Sequence, residues 1–232
     1  MFMYFDPMYL FFMIPALILA GIASAKTKGT FNKYNKRAAS SHMTGAQAAR
    51  RMLDINGLND VQIHRVRGFL SDHYNPMNRT LNLSPDVHDS QSLSAIGVAC
   101  HEAGHALQHA QGYVPLKFRS AMVPITQFSS YGSYIFIMLG VFMQSMIMAK
   151  FGVALFSIGF LFALITLPVE WDASARAKRQ MVTDGIVLPS EAQDAGKVLD
   201  AAFLTYVASA VSALLTLLYY MMRLGLLGGR DD

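Results

Sequence analysis

Four stretches, residues 8–25, 131–149, 152–169 and 201–222, are almost wholly apolar and contain no Asp, Glu, Lys or Arg. Each approaches the ~20 residues with which a helix crosses a bilayer. Lys150 and Phe151 alone separate the middle two, so the pattern predicts a tight helical hairpin there. Pro15 and the internal glycines are tolerated in such helices. Between the first two runs the periodicity changes. Thr44 reads as the N-cap of a helix reaching about Ile55, stopped by Asn56-Gly57. Residues 61–66 alternate like a strand, Asn75-Pro76-Met77-Asn78 is turn chemistry, and 80–84 alternate again. These predict a small antiparallel sheet between two helices. Its free edge is either a place for an extended peptide to add as a strand or a surface covered by membrane or loop.

Composition agrees with the runs. The chain is 53% hydrophobic and 15% charged over 232 residues, with mean hydropathy +0.32, more apolar than one small core can hide. A single cysteine excludes a disulfide framework and a four-cysteine zinc site. The net charge of +4 does not imply nucleic-acid binding, because the bases cluster beside the apolar runs. Lys26, Lys28, Lys33, Lys36 and Arg37 follow the first run directly, and Asp6 precedes it. A cleaved secretory signal would carry its bases before the apolar core, so Ala23-Ser24-Ala25 is not read as a cleavage site. The first run is an uncleaved anchor with its N-terminus outside. Counting crossings puts residues 26 to about 120 inside, and 170 to about 198 inside again with Arg176, Lys178, Arg179 and Lys197. The tail with Arg230, Asp231 and Asp232 then ends outside, and Arg223 and Arg230 count mildly against that scheme. The basic face of residues 26–41 reads as headgroup attraction and topology setting.

The chemistry centres on His101-Glu102-Ala103-Gly104-His105. Residues four apart share a helix face, so both imidazoles can aim at one zinc ion while Glu102 reaches a water on it. With seven His and three Glu in the chain, chance would produce the pattern about 0.003 times. His109 lies one turn further on, ~6 Å along the axis, too far to share a tetrahedral ion comfortably. Gln108 and Gln111 exclude the longer three-histidine pattern. Glu170 ends the third run, where a carboxylate is costly to desolvate unless it is paired or metal-bound. It is the favoured third ligand, and pairing with Arg176 or a lysine is the competing reading. Glu191 looks like a helix-start residue. Gly97, Ala99, Ala103 and Gly104 suggest close approach of another helix, with Ala173, Ala175 and Ala177 as the counterpart.

Asp-His-Tyr-Asn-Pro at 72–76, Leu-Asn-Leu-Ser-Pro at 81–85, the histidine motif at 101–109 and Val-Glu-Trp-Asp-Ala-Ser at 169–174 resemble the YugP-type membrane-bound neutral zinc metallopeptidases, distant relatives of HtpX-like proteases. The resemblance implies a gluzincin-type site with Zn2+ on His101, His105 and Glu170. It also implies a cytoplasmic catalytic domain and a role in membrane-protein turnover. Where the HtpX relatives have an Asp four residues after the ligand glutamate, this chain has Ser174, with Asp172 on another face. His73, Tyr74 and Arg176 are candidates for stabilising the oxyanion.

The expected fold is a mainly α membrane protein with four transmembrane helices and a small α+β zincin-like cytoplasmic domain. Its parts are a 1–25 anchor, a 26–120 cytoplasmic domain bearing the sheet and motif helix, and a 121–169 hairpin. A 170–200 cytoplasmic segment with the third ligand and a 201–232 C-terminal helix and tail complete it. The expected activity is that of a multi-pass zinc endopeptidase at the cytoplasmic membrane face. Glu102 activates the zinc-bound water, the bilayer and peptide or membrane-protein substrates are the partners, and nucleic acid is not one. Two readings compete. One is an intramembrane site-2-type protease using Asp184-Gly185, and the other is a non-catalytic scaffold with a structural zinc that enlists Cys100.

Overall fold

The computed structural model describes residues 6–68 and 71–227, which leaves Arg230, Asp231 and Asp232 outside the described residues. Its long helices are α1 (Pro7–Tyr34), α5 (Val114–Phe142), α6 (Met146–Thr183) and α7 (Pro189–Arg223). All four are long and apolar enough to cross a membrane. Shorter elements lie between α1 and α5: α2 (Gly45–Ile55), β1 (Gln62–Arg65), β2 (His73–Asn75), β3 (Thr80–Leu83), α3 (Pro85–His88) and α4 (Leu93–Ala110). The protein is a mainly α membrane protein with a small sheet.

The chain divides into two compact units. The first takes residues 1–23, 118–167 and 205–232. Its helices turn large apolar side chains outward, including Phe11, Phe128, Phe142 and Ile147. In water such a surface would be a liability; against lipid it is what a spanning helix needs. The hairpin differs from the sequence expectation. α5 ends at Phe142, and the chain reverses at 143–145, before Lys150-Phe151. Gln144 adopts φ 52°, and Ser145 N–H donates to the Gly140 carbonyl at 2.8 Å, a left-handed helix stop. A side chain at Gly140 would place Cβ 2.6 Å from the Ala149 nitrogen, so glycine is what allows the two helices to close. Lys150 falls in the second turn of α6, exposed, where its long stem can carry the charge toward an interface. Arg223 is matched within this unit by Asp6 at 3.2 Å.

The second unit takes residues 24–117 and 168–204. α2 forms where its signals predict. The Thr44 hydroxyl accepts from Gln47 N–H, the Gln47 side chain accepts from Thr44 N–H, and Asn56 caps the other end. The basic stretch expected to link α1 onward is itself helical as far as Tyr34. The sheet corrects another expectation. Its order is β1-β3-β2, with β2 antiparallel to β3 but β1 parallel to it. Met77 N–H donates to Asn75 Oδ1 at 2.9 Å, a tight turn that makes β2 and β3 a hairpin. The excursion after Val66 delivers the chain to the far side of β3 in the opposite direction. Leu81 and Leu83 of β3 join Met52, Leu53, Leu93, Ile96, Met181 and Ile186 in the core. α4 therefore lies between the sheet side and the inner ends of α6 and α7.

Candidate metal centre

α4 starts at Ser92, whose hydroxyl accepts from Ala95 N–H at 3.1 Å, and runs unbroken through the motif. Two of its glycines mark close packing within the unit. A Cβ on Gly104 would lie 2.7 Å from the Ala173 carbonyl oxygen of α6. One on Gly97 would lie 3.3 Å from the Ala195 carbonyl oxygen of α7. Ala173 is thus the counterpart expected from sequence, while Gly97 faces α7. Gly in a helix interior costs ~1 kcal/mol against Ala, and here it lets α4 approach the turn of α6 that carries Glu170.

That approach brings His101, His105 and Glu170 together, with one ligand atom from each within 4.8 Å of the others. Glu170 Oε2 lies 3.2 Å from His101 Nε2 and 3.6 Å from His105 Nε2. Two ligands each 2.0–2.1 Å from a tetrahedral zinc lie roughly 3.3 Å apart, so the carboxylate stands at a ligand's distance from both rings. Glu170 is 1% exposed. The competing pairing with Arg176 is not formed, since Arg176 Nε meets Asp172 at 2.5 Å and its guanidinium also donates to Gln111. Burial pushes the His105 imidazole toward the neutral form, but hydrogen bonding to Glu170 and the charges of Glu170 and Glu102 outweigh it and raise its proton affinity. The cage favours positive charge. Two imidazole nitrogens and a carboxylate form a donor set suited to zinc with a position left open.

Both rings are held from behind. His105 Nδ1 faces Gln108 Oε1 at 3.0 Å, while Gln108 Nε2 donates to the Val169 carbonyl and to Asp172 Oδ2, each at 2.8 Å. Two acceptors at Nε2 fix the amide, so Oε1 is the atom presented to the ring. An acceptor there places the proton on Nδ1 and leaves the Nε2 lone pair facing Glu170. His101 Nδ1 lies 3.1 Å from Ser174 Oγ. Ser174 therefore occupies the role left open by its departure from the relatives' Asp. Asp172, expected to face elsewhere, acts on His105 through Gln108. Sequence reasoning weighed Gln108 only as a missing ligand. Its i+3 spacing from His105 was the available signal.

Glu102 does not join the cluster. Its Oε2 accepts from the Tyr74 N–H of β2 at 3.0 Å, and Asp72 lies near enough to feel its charge. Burial, first, and then the Glu102 charge hold the Asp72 carboxyl above its ordinary value, against hydrogen bonds from Ser84. His109 is turned to the Tyr74 hydroxyl at 2.9 Å. The exposed His73 ring is engaged by the Ser71 carbonyl and Asn82. Arg176 is committed to Asp172 and Gln111, with Tyr113 beneath it at 5.7 Å. Asp184 lies at the end of α6, outside the cluster, with Gly185 at φ 62°, so the site-2 pattern is not assembled. Cys100 is fully buried, which pushes its thiol far up. It is core, not a fourth ligand.

Comparison with known proteins agrees with this geometry. Residues 9–225 match the family model described as "Putative neutral zinc metallopeptidase". A Bacillus subtilis (strain 168) protein named "Putative membrane protease YugP" is 45% identical over 225 residues, covering 97% of this chain and 99% of that one. No solved structure matches the chain.

Proposed function

The chain belongs to this family of neutral zinc metallopeptidases, and we propose that it is a membrane-embedded endopeptidase cutting peptide bonds at the cytoplasmic membrane face, in membrane-protein turnover. The convergence of His101, His105 and Glu170 beside an anchored Glu102 carries the reading. His101 and His105 offer Nε2, and Glu170 offers a carboxylate oxygen, to Zn2+. Bound zinc would lower the pKa of water to about 7 and polarise the substrate carbonyl. Glu102 is the general base. Tyr74 N–H holds its Oε2, so its other oxygen takes the proton from the attacking water and passes it to the departing amine nitrogen. Gln108 and Ser174 keep the imidazoles in the ligating tautomer. β2, at the sheet edge and tied to Glu102, is the strand beside which an extended peptide would lie.

The bases after the first apolar run and around 176–197 support an inside location for the site, with the N-terminus outside. The test is Glu102→Gln in the full chain. Zinc content should stay at the wild-type level while cleavage of an unfolded protein substrate falls by 10²–10⁴-fold or more. Retained cleavage would remove Glu102 from the mechanism. Loss of zinc along with cleavage would give it a structural role instead.

A further inference from the structure

We propose that the second unit carries a binding site for the phosphate of an anionic phospholipid, between the ends of α1 and α7 and separate from the metal centre. A cavity of about 400 Å³ is lined there by Lys26, Thr30, Lys33 and Tyr34 of α1 and by Lys197, Asp200, Ala201 and Leu204 of α7. Thr27 Oγ1 donates to the Ala201 carbonyl at 2.8 Å, which ties the two walls together. Two ammonium groups flank one ring, with Lys33 Nζ 5.1 Å and Lys197 Nζ 5.9 Å from the centre of the buried Tyr34.

Charge at this place is unbalanced. Asp194 is shared by Arg37 and Lys197, and Asp200 is taken by Lys178. Neither Lys26 nor Lys33 has a carboxylate partner among the described residues. Five cations therefore gather against two carboxylates, and the surplus faces the cavity. Gathering like charges without a counter-ion is unfavourable, and an entering anion relieves it.

Position identifies the source of the anion. Lys26 is the first residue after the uncharged 8–25 run, and Ala201 is the first of the 201–222 run. One end of the cavity, at Lys26, Ala201 and Leu204, therefore opens where two candidate spans begin. Lys33 and Lys197 lie about 10 Å further from the apolar runs, at 1.5 Å rise per residue. A phosphate at the level of Lys26, with its acyl chains along Leu204 and the apolar runs, meets both requirements. Basic pockets between helices at this depth are suited to lipid headgroups. A soluble phosphate would satisfy the lysines but would gain nothing from the apolar end.

The experiment reads retained lipid on the full chain. Wild type, Lys26→Gln/Lys33→Gln and Lys28→Gln/Lys36→Gln are placed in phosphatidylcholine nanodiscs with increasing phosphatidylglycerol, and co-purifying lipid is quantified after detergent extraction. Lys28 and Lys36 lie outside the cavity and remove the same charge. The first double variant should bind phosphatidylglycerol about 30-fold more weakly, at roughly 5-fold per lysine, while the second stays within 3-fold of wild type. Equal loss in both variants would reduce the effect to general surface charge and overturn the site. So would wild type without preference for phosphatidylglycerol over phosphatidylcholine. Inorganic phosphate binding at the cavity without that preference would assign it to a soluble anion and overturn the lipid reading.

Discussion

Replacing Gln108 by leucine tests how the second imidazole is aimed. The side chain is fully buried and makes three hydrogen bonds, one at 3.0 Å to His105 Nδ1 and two at 2.8 Å to the Val169 carbonyl and Asp172. Leucine keeps the bulk and removes all three. The His105 N–H and the Val169 carbonyl would then be buried unpaired, at about 1–3 kcal/mol each, offset in part by leucine burial. The expected net loss of stability is about 2–4 kcal/mol, read as a shift in unfolding midpoint of detergent-purified protein with chelator present. Freeing the His105 ring should weaken zinc by about 10–100-fold, or about 1.4–2.8 kcal/mol, measured by competition with a chromophoric chelator. Gln108→Glu keeps an acceptor toward Nδ1 but sets a carboxylate against Asp172. It should hold zinc better than the leucine variant while costing at least as much stability. Leucine-variant zinc affinity within 2-fold of wild type would refute the reasoning and leave packing alone to orient the ring.

Gly104→Ala should destabilise the chain by about 1–3 kcal/mol, because its methyl would meet the Ala173 carbonyl oxygen at 2.7 Å. Gly97→Ala, at 3.3 Å from the Ala195 oxygen, should be nearer neutral since Ala favours the helix; equal thermal shifts would contradict the packing argument. Asp72→Asn should gain stability relative to wild type as pH rises. Burial, then the Glu102 charge, raise the folded-state Asp72 value, so the wild type's contribution is complete below about pH 3.9 and is lost as pH rises through that raised value. Asn never pays that charge penalty, and a difference in unfolding midpoint that stays constant from pH 4 to 8 would refute the sign.

Legibility from sequence followed the range of the interactions. α2 was readable to the residue because Thr44, Gln47 and Asn56-Gly57 act within a few positions of one another. The histidine spacing was readable for the same reason. Glu170 was readable across 69 positions because a carboxylate ending an apolar run needs a reason to be there. The parallel pairing of β1 with β3 was not readable, since alternation reveals a strand but not its neighbour's direction. The reversal at 143–145 was masked because a charge such as Lys150 can ride inside a helix with its stem along apolar surface, while uncharged Gln144 took the left-handed turn. Gln108 was hidden by being asked one question only, whether it could bind metal. The link from Gln108 to Asp172 needs α4 and α6 side by side, which no local pattern announces.

The Tyr113 hydroxyl donates to the Pro168 carbonyl at 3.4 Å, so the backbone departs from and rejoins the second unit at nearly one spot. Everything from 118 to 167 is then an errand run from a single doorway. Whole turns could be inserted into or trimmed from both arms of that loop-out, and the three donor atoms would keep their spacing. Descendants of this architecture are free to fit bilayers of different thickness without retuning their chemistry.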